Sequence, residues 1–506
     1  MKEADKGSVS GGETTDRIRN ISRGLGSLAV QNVLTSGLAF VFLAVLLRLV
    51  SYGDYNAYSS VLVSVGIAVT ASTFGLQYSA ARFFAYYRDD ETRAWGAAKS
   101  VLILSSIFTA AATLIFEILA KPLSIYFTNN TQFTLLFQLG GIWLFTYSIS
   151  SVLQGIIQGM KKYTTLAKML VVSRMLMVAF TLVALEITHS ADFAVLAWVI
   201  YYVIVNLWTL KIVWRKLLRR SDFSHYSMIM RYSAPLGIAG ILAVVSTSGD
   251  SVILGGYTQS LGVYNAAITI SSVLSFVFVT PVITTLLPEA SWSSKIEGEV
   301  SNGARLAIRF SVLGLFPVSL FVAAVSNQLL SLFSGGGNYL LGVESLQFIS
   351  ITFIFVGIQG IAYSILQALG KTVQALIAGA IASVADISLS LFLVPRFGIM
   401  GATISKVAVV VIGMSVAMYF IRMHLHNLDS CIFYLKSAVA ALVPFAIILA
   451  LSSVLTKRII LLGPYLIIWS ILFFACVRTL KIITEEDRRL IAHMIPTPLQ
   501  RILRYF

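Results

Sequence analysis

Charged side chains are scarce in this chain of 506 residues, at 12% of the total, whereas hydrophobic residues make up 57%. A soluble protein carries about 25% charged residues. With a mean hydropathy of +0.85, the chain is too apolar to hide its surface from water by folding on itself. The shortage of charge therefore excludes an ordinary soluble protein and predicts an integral membrane protein with many spans.

Cysteine is almost absent as well, since the chain has only Cys431 and Cys476. Both fall near the predicted cytoplasmic face, so we expect free thiols and no disulfide. Residues 1–23 also lack the apolar core that a cleavable signal peptide needs. The first apolar helix is therefore expected to remain in the membrane.

Motifs for catalysis and metal binding are lacking too. The chain has no HExxH and no Gly-x-Ser-x-Gly sequence, and "GKT" at 370–372 follows Ile365 where a phosphate-binding loop needs glycine. We therefore expect no enzyme activity, no catalytic residue, no metal and no bound cofactor, although coupling to a proton or sodium gradient remains open.

Fourteen apolar stretches are long enough to cross the hydrocarbon layer, which requires about 20 residues of helix. Because backbone polar groups inside lipid must pair within their own segment, we expect an all-α integral membrane fold. The predicted helices 1 to 14 span 24–50, 57–81, 97–119, 132–157, 166–187, 192–213, 233–256, 263–289, 304–330, 345–369, 373–395, 399–421, 432–454 and 460–479.

Basic residues alternate between the connections that join these stretches. Of the 37 Lys and Arg residues, 30 fall on one side of the predicted membrane and five on the other. The richer side is the cytoplasmic one, so both termini are predicted to be cytoplasmic in a multi-pass protein of the cell membrane. These loops also explain the net charge of +15, and no nucleic-acid partner is expected.

Two short motifs recur at one offset. "SYGDYNA" at 51–57 returns as "SLGVYNA" at 260–266, and "IIQGMKK" at 156–162 returns as "ILQALGK" at 365–371, each 209 residues later. The offset predicts two parallel six-helix bundles related by a pseudo-twofold axis along the membrane normal, with helices 13 and 14 added. Parallel repeats of this kind are a transporter architecture, with the substrate path at the repeat interface.

Each copy of the first motif is expected to form an outer hairpin. Gly53 and Gly262 allow a tight turn, and the amphipathic rings of Tyr55 and Tyr264 suit the membrane–water boundary.

The predicted organisation has six parts. They are a cytoplasmic N-terminal segment (1–23), an N-terminal six-helix bundle (24–214), a cytoplasmic linker (215–232), a C-terminal six-helix bundle (233–424), helices 13 and 14 (425–479) and a cytoplasmic amphipathic tail (480–506). Residues 484–495 of the tail predict a short helix on the inner leaflet.

The stretch 232–267 resembles the polysaccharide flippases (Wzx-like) of the MOP exporter superfamily. The shared pattern is an acid before Leu-Gly, a Gly-x-Tyr in the outer hairpin and a proline that closes helix 8: Asp250, Leu254-Gly255, Gly262-Val-Tyr264 and Pro288. The resemblance implies two bundles in a V around a central cavity. It also implies alternating access that moves a polyprenyl-linked oligosaccharide to the outer leaflet, with the lipid-linked glycan, membrane lipids and glycan-assembly proteins as partners.

Four charges lie well away from the ends of predicted spans, and a charge costs about 2.5–3.5 kcal/mol at mid-bilayer. They are Arg174, Asp250, Asp386 and Lys406. As substrate or cavity residues, Arg174 and Lys406 would attract pyrophosphate or acidic sugars, and the acids would respond to a coupling cation. Alternatively, Asp386 and Lys406 form a buried pair that only fixes packing, and Arg174 packs against a polar neighbour.

Four further polar residues are weaker candidates. Gln31 and Asn32 in helix 1 either line the cavity or hydrogen-bond to another helix. Arg82 and Glu289, near the inner face, either gate the cavity or anchor the helices at the interface.

Other function classes fit the sequence less well. A MATE-like cation-coupled multidrug exporter is disfavoured because the predicted helix 1 contains no acidic residue and because fourteen spans exceed the usual twelve. A membrane glycan polymerase or ligase would carry long outer loops, which this chain lacks.

The loop charges and the repeat predict that Ser51 and Ser260 face the outside. Single cysteines at these positions, in a background without Cys431 and Cys476, should react with an impermeant maleimide added to whole cells. Labelling that required broken cells would reverse the predicted orientation.

Overall fold

The computed structural model describes residues 11–87, 89–218, 226–278, 297–369, 371–424, 431–454 and 462–482. Within these ranges the regular structure is entirely helical. The chain divides into two compact units, Met1–Val244 and Val245–Phe506, called unit 1 and unit 2 below. The predicted tail helix at 484–495 lies outside the described residues.

Unit 1 contains seven complete helices and the start of an eighth. These are α1 (Gly11–Leu49), α2 (Tyr52–Thr73), α3 (Leu76–Tyr86), α4 (Glu91–Thr128), α5 (Thr134–Gly159), α6 (Tyr163–Thr188), α7 (Ala191–Leu217) and α8 (Tyr226–Tyr257), which ends in unit 2.

Unit 2 continues with seven described helices and one 3-10 turn, Gly337–Gly342. The helices are α9 (Leu261–Phe278), α10 (Glu297–Ala324), α11 (Ser326–Ser334), α12 (Val343–Ala368), α13 (Thr372–Arg422), α14 (Cys431–Val454) and α15 (Leu462–Thr479).

Each of the fourteen predicted stretches overlaps a described helix, but the number of spans is not confirmed. By length and hydropathy the described residues contain 10 candidate spans, or up to 12 if each of two bent pairs counts as one. The bends are 41° between α2 and α3 and 69° between α10 and α11. The sequence did not predict these breaks, because hydropathy does not record the direction of a helix.

α13 is counted as one span although it has 51 residues. At about 1.5 Å per residue it would be roughly 77 Å long, more than twice the ~30 Å of a hydrocarbon core. Gly398 interrupts it with φ 54° and ψ −127°, a conformation open to glycine but not to residues with a Cβ. The break separates 372–397 from 399–422, close to the predicted helices 11 and 12.

The helices repeat at the offset of the motifs. α5 begins at Thr134 and ends at Gly159, and α12 begins at Val343 and ends at Ala368, so both ends are 209 residues apart. His189, which ends α6 with φ 50°, is matched at the same offset by Gly398. The duplicated sequence therefore encodes duplicated helix ends.

The second repeated motif closes a helix in the same way in both copies. Met160 and Leu369 donate to the carbonyls of Ile156 and Ile365 at 2.9 and 3.0 Å. Two residues later, Lys162 and Lys371 donate back to Ile157 and Leu366 at 3.2 and 2.8 Å. These backward bonds satisfy carbonyls that the last helical turn would leave unpaired.

The first motif starts a helix in both copies, with the carbonyls of Ser51 and Ser260 accepting from the N–H groups of Tyr55 and Tyr264 at 2.9 and 3.1 Å. The rings of these tyrosines do not face the membrane–water boundary as expected, because both are buried inside the protein. Tyr55 is 2% exposed and Tyr264 0%. The conserved spacing therefore serves to point one aromatic ring into the interior of each unit.

The most enclosed helix of each unit occupies the same place in the repeat. In each candidate span we compare the buried share of one apolar stretch of 18 residues. That share is 56% in α5 and 50% in α12, against 17–44% in the other candidate spans. α5 packs against α2, α3, α4 and α7, and α12 packs against α9, α10 and α13. Each unit is thus organised around its fourth repeated segment.

Candidate functional site

A buried polar cluster in unit 2 contains three of the predicted site residues. α8 supplies Asp250, α9 supplies Tyr264, and the two parts of α13 supply Asp386 and Lys406. Asp250, Tyr264 and Asp386 have no exposed surface, and the Lys406 side chain is 12% exposed. The break at Gly398 makes this possible. It lets both parts of α13 contact α8, one through Asp386 and the other through Lys406.

Lys406 forms an ion pair with Asp250. Its Nζ atom lies 3.0 Å from Oδ2 and 3.1 Å from Oδ1 of Asp250, and it also donates to the carbonyl of Thr247 at 2.6 Å. Tyr264 donates its hydroxyl to Oδ2 of Asp250, and the Ser251 N–H donates to Oδ1 at 2.8 Å. The predicted Asp386–Lys406 pair is not formed, because both oxygens of Asp250 take the ammonium.

Asp386 approaches the same turn of α8 from α13. Its Oδ2 accepts the backbone N–H of Asp250 at 3.1 Å. Gly249 permits this contact, since a Cβ added there would lie 2.5 Å from that oxygen. Oδ1 of Asp386 is buried and has no hydrogen-bond partner among the described residues. A buried oxygen left without a donor is costly, so Asp386 is the member of the cluster that can take a further ligand.

The cluster has two carboxyl groups and one ammonium. With both acids ionised it holds one negative charge in excess, which a low-dielectric interior does not tolerate without a proton or a cation. The arrangement can therefore bind and release one positive charge at Asp386 while the Asp250–Lys406 pair stays intact.

Arg174 lies in unit 1, on α6, among aromatic rings. Its guanidinium carbon is 4.2 Å from the centre of the Trp198 ring and 5.8 Å from the centres of Phe42 and Tyr201. Nη1 lies 3.5 Å from the sulfur of Met177. Contacts of this kind stabilise a cation by ~0.5–2 kcal/mol, depending on how dry the site is.

The aromatic rings around Arg174 are themselves fixed. Trp198 stacks on Trp143 at 5.0 Å, and its Nε1 donates to the hydroxyl of Tyr58 at 2.9 Å. Tyr202 stacks on Tyr147 at 4.4 Å in the same column. Trp198 therefore presents a rigid ring face to the guanidinium.

The positive charge of Arg174 is not neutralised within the described part of unit 1. No carboxylate there forms an ion pair with it, and its buried Nε has no hydrogen-bond partner. In the packing alternative, Arg174 would lie beside a polar neighbour. Its neighbours are instead aromatic rings and the Met177 sulfur. The guanidinium keeps donors for an anion.

The two charged groups use equivalent helices. Arg174 is carried by α6 and contacts α1 and α7. At the repeat offset, α1 corresponds to α8, and α6 and α7 correspond to the first and second parts of α13. Lys406 corresponds at the repeat offset to Ala197, the residue before Trp198. The same framework thus holds an unneutralised cation in unit 1 and an excess of acid in unit 2.

The other predicted residues lie apart from these groups. The Gln31 amide donates to Thr35 in its own helix at 3.3 Å, and Asn32 is half-buried on the next position of α1. The exposed Arg82 stacks on Tyr232 at 4.1 Å. Glu289 lies outside the described residues, so the predicted gate pair has only one located member.

Two residues of the candidate site were missed from the sequence. Tyr264 was noticed as part of the repeat but was interpreted as a boundary residue, although its 14-residue distance from Asp250 allowed a helix–turn–helix contact. Trp198 stands in the aromatic run "AWVIYY" at 197–202, and that run was the only sequence signal for a ring platform beside Arg174.

The helices have the fold of the MOP superfamily transporters. The solved structure of the lipid II flippase MurJ in its inward closed conformation is similar to this chain with a TM-score of 0.75, at 14% identity, over 89% of this chain and 98% of that one. An inward-facing multidrug resistance MATE family transporter gives 0.63 at 14% identity, covering 77% and 94%. A MOP superfamily transporter from Pyrococcus furiosus gives 0.60 at 15% identity, covering 80% and 95%.

The chain belongs to the polysaccharide biosynthesis protein family, which it matches over residues 21–294, more than half of its length. It is a multi-pass protein of the cell membrane. Among curated proteins no sequence matches it.

The geometry of the cluster predicts which neutralisation rescues the loss of Lys406. Lys406→Met strands a buried carboxylate, which should cost about 3–5 kcal/mol and lower the melting temperature of the purified protein. Adding Asp250→Asn should restore most of that loss, because the carboxylate that Lys406 neutralises is then gone. Adding Asp386→Asn is the matched control and should restore less. Better rescue by Asp386→Asn would show that Lys406 serves Asp386.

Proposed function

We propose that this protein is a flippase that moves a polyprenyl-linked oligosaccharide, the repeat unit of a polysaccharide, across the cytoplasmic membrane by alternating access. Its membership of the polysaccharide biosynthesis protein family carries the proposal. The similarity in fold to the lipid II flippase supports it, because that fold extends over 89% of this chain. Both termini are cytoplasmic in this proposal, as the loop charges predict.

The alternatives have less support. The MATE transporter named above covers 77% of the chain, which leaves more of the sequence unexplained than a flippase fold does. A polymerase or ligase would need space for catalytic loops. The connections between α1 and α2, α4 and α5, and α6 and α7, on the predicted outer face, contain at most a few residues each.

Arg174 is the proposed contact for the pyrophosphate of the cargo. A guanidinium matches the geometry of phosphate oxygens with two parallel hydrogen bonds, which an ammonium cannot do. The ring face of Trp198 orients the group, and no described carboxylate competes for its donors.

Replacing Arg174 by Met should therefore separate packing from transport. Met is apolar and flexible, and the site already holds Phe42, Trp198 and the Met177 sulfur, so the Arg174→Met protein should fold and melt at or above the wild-type temperature. It should nevertheless leave lipid-linked oligosaccharide undelivered in cells without the native copy. Arg174→Lys should fold normally but deliver the glycan poorly, because the compact charge of an ammonium replaces the planar guanidinium.

The measurement is the ratio of undelivered to delivered glycan at matched expression. At least a tenfold rise in that ratio is expected for Arg174→Met, in line with the loss of one charge-assisted contact of ~1.5–3 kcal/mol. Normal delivery by a well-folded Arg174→Met would make Arg174 a packing residue and move the anion contact to another cation.

Asp386 is the proposed site at which transport is coupled to a proton or sodium ion. The proposal rests on the excess negative charge of the cluster and on the unpartnered Oδ1 of Asp386. Binding a cation there would neutralise the cluster, and release would restore the charge, so the two states differ in electrostatic energy. Such a difference is what an ion gradient needs in order to bias a conformational equilibrium.

Asp386→Asn should remove this response. In proteoliposomes that carry lipid-linked oligosaccharide, an imposed proton or sodium gradient should accelerate wild-type flipping, whereas Asp386→Asn should flip at one rate with or without the gradient. Glu117→Gln, which removes an intramembrane acid of unit 1 outside the cluster, should respond like the wild type. An unaltered response in Asp386→Asn would rule out this residue as the coupling site.

A further inference from the structure

A half-open groove of about 380 Å³ lies in unit 2, among α10, α12, α14 and the second part of α13. This volume is in the range of ligand sites, roughly 300–1,000 Å³. The lining is mainly apolar, with one charged residue. The residues that line it include Ile308, Ile358, Met414, Met418, Arg422 and Tyr434.

The charged residue of the groove, Arg422, and Tyr434 lie at one end of it. Arg422 is the last residue of α13, and Tyr434 is the fourth residue of α14, the next helix. Met418 and Met414 precede Arg422 by one and two turns, or about 6 and 12 Å along the helix. The groove therefore runs from a membrane boundary into the apolar layer, with a guanidinium and a phenol at its mouth. The loop charges place this mouth on the cytoplasmic side.

The groove depends on a helix outside the repeat. α14 has no counterpart in unit 1, and it packs against α10, so that Tyr434 closes a space that the repeated helices leave open. Met414 and Met418 line the groove, and their flexible side chains can adapt to acyl chains of different shape.

The surface around the groove is apolar and exposed. Tyr419 in its wall is 62% exposed, and Ile432 and Leu435 beside Tyr434 are 63% and 66% exposed. In a membrane-spanning protein such side chains contact hydrocarbon. Arg422, by contrast, forms no ion pair with any described carboxylate. The site thus offers one cation at the aqueous boundary and a continuous path for an acyl chain.

We infer that the groove holds one anionic phospholipid of the inner leaflet, with its phosphate at Arg422 and Tyr434 and an acyl chain along Met418 and Met414. Basic pockets between membrane helices on the cytoplasmic side suit such headgroups, and the cytoplasmic leaflet supplies them. The ligand is a resident lipid and not the transported cargo. The inference concerns binding and stands or falls independently of the proposed flippase activity.

The test is native mass spectrometry of the purified full-length protein with three defined probes. These are phosphatidylglycerol, phosphatidylcholine with the same acyl chains, and a polyprenyl phosphate. The variants are Arg422→Gln, which removes the charge, and Met418→Trp, which fills the groove. Arg396→Gln is the matched control, because Arg396 is an exposed arginine on the same helix α13, stacked on Phe392 at the predicted outer face.

The wild type and Arg396→Gln should retain one phosphatidylglycerol in preference to phosphatidylcholine. Arg422→Gln should weaken that binding about fivefold, the effect of one cationic side chain near an anionic surface, and Met418→Trp should prevent it. If Met418→Trp does not fold, Arg422→Gln decides alone. Equal retention of the two phospholipids, an unchanged affinity in Arg422→Gln, or preferential binding of the polyprenyl phosphate through Arg422 would overturn the inference.

Discussion

The ion pair between Asp250 and Lys406 determines the chemistry of unit 2. A hydrocarbon interior cannot solvate an isolated ion, so an ammonium on α13 must find a partner within reach. Both oxygens of Asp250 lie about 3 Å from Nζ, and no ion pair forms between Lys406 and Asp386. The second acid is therefore close to the pair and buried, with the backbone N–H of Asp250 on one oxygen and no described donor on the other.

The matching helix ends of the two units show how similar helix arrangements can hold opposite charges. The helix ends at 134 and 159 return at 343 and 368, but the polar residues do not return with them. Ser383 stands where the repeat would place a copy of Arg174, and Ala197 stands where it would place a copy of Lys406. The matched helices therefore carry a guanidinium on aromatic rings in unit 1 and a surplus of acid in unit 2.

The helices could be predicted closely because the constraint on them is local. A span must satisfy its backbone within itself and match the thickness of the hydrocarbon, so the predicted stretch 132–157 differs from α5 by only two residues at each end. The motif repeat also agrees with the matching ends of α5 and α12, which lie 209 residues apart. Bends such as the 69° break after Ala324 depend on packing between helices and have no signature in hydropathy.

The sequence singled out the charged residues of the unit 2 cluster, but it predicted neither their pairing nor the part of Tyr264. Depth along a helix can be counted from the sequence, and it placed Asp386 and Lys406 at one level. Pairing depends also on the rotation of each helix and on how closely two backbones approach, and here Gly249 brings Asp386 to a backbone N–H while Lys406 points to Asp250. The burial of Tyr264 could not be predicted for the same reason, because it depends on how α9 is rotated about its own axis.

The manner in which Arg174 is held bears on what it can do. A carboxylate partner would neutralise the guanidinium, and an incoming anion would then have to displace it, at a cost of about 3–5 kcal/mol for a broken buried pair. Ring faces hold the same group with ~2 kcal/mol or less and leave its formal charge intact. The N–H donors lie in the plane of the guanidinium, whereas Trp198 covers a face of it, so stacking and hydrogen bonding use different directions. An anion can therefore bind without breaking the contact that positions the cation, and it can leave without stranding an unpaired carboxylate.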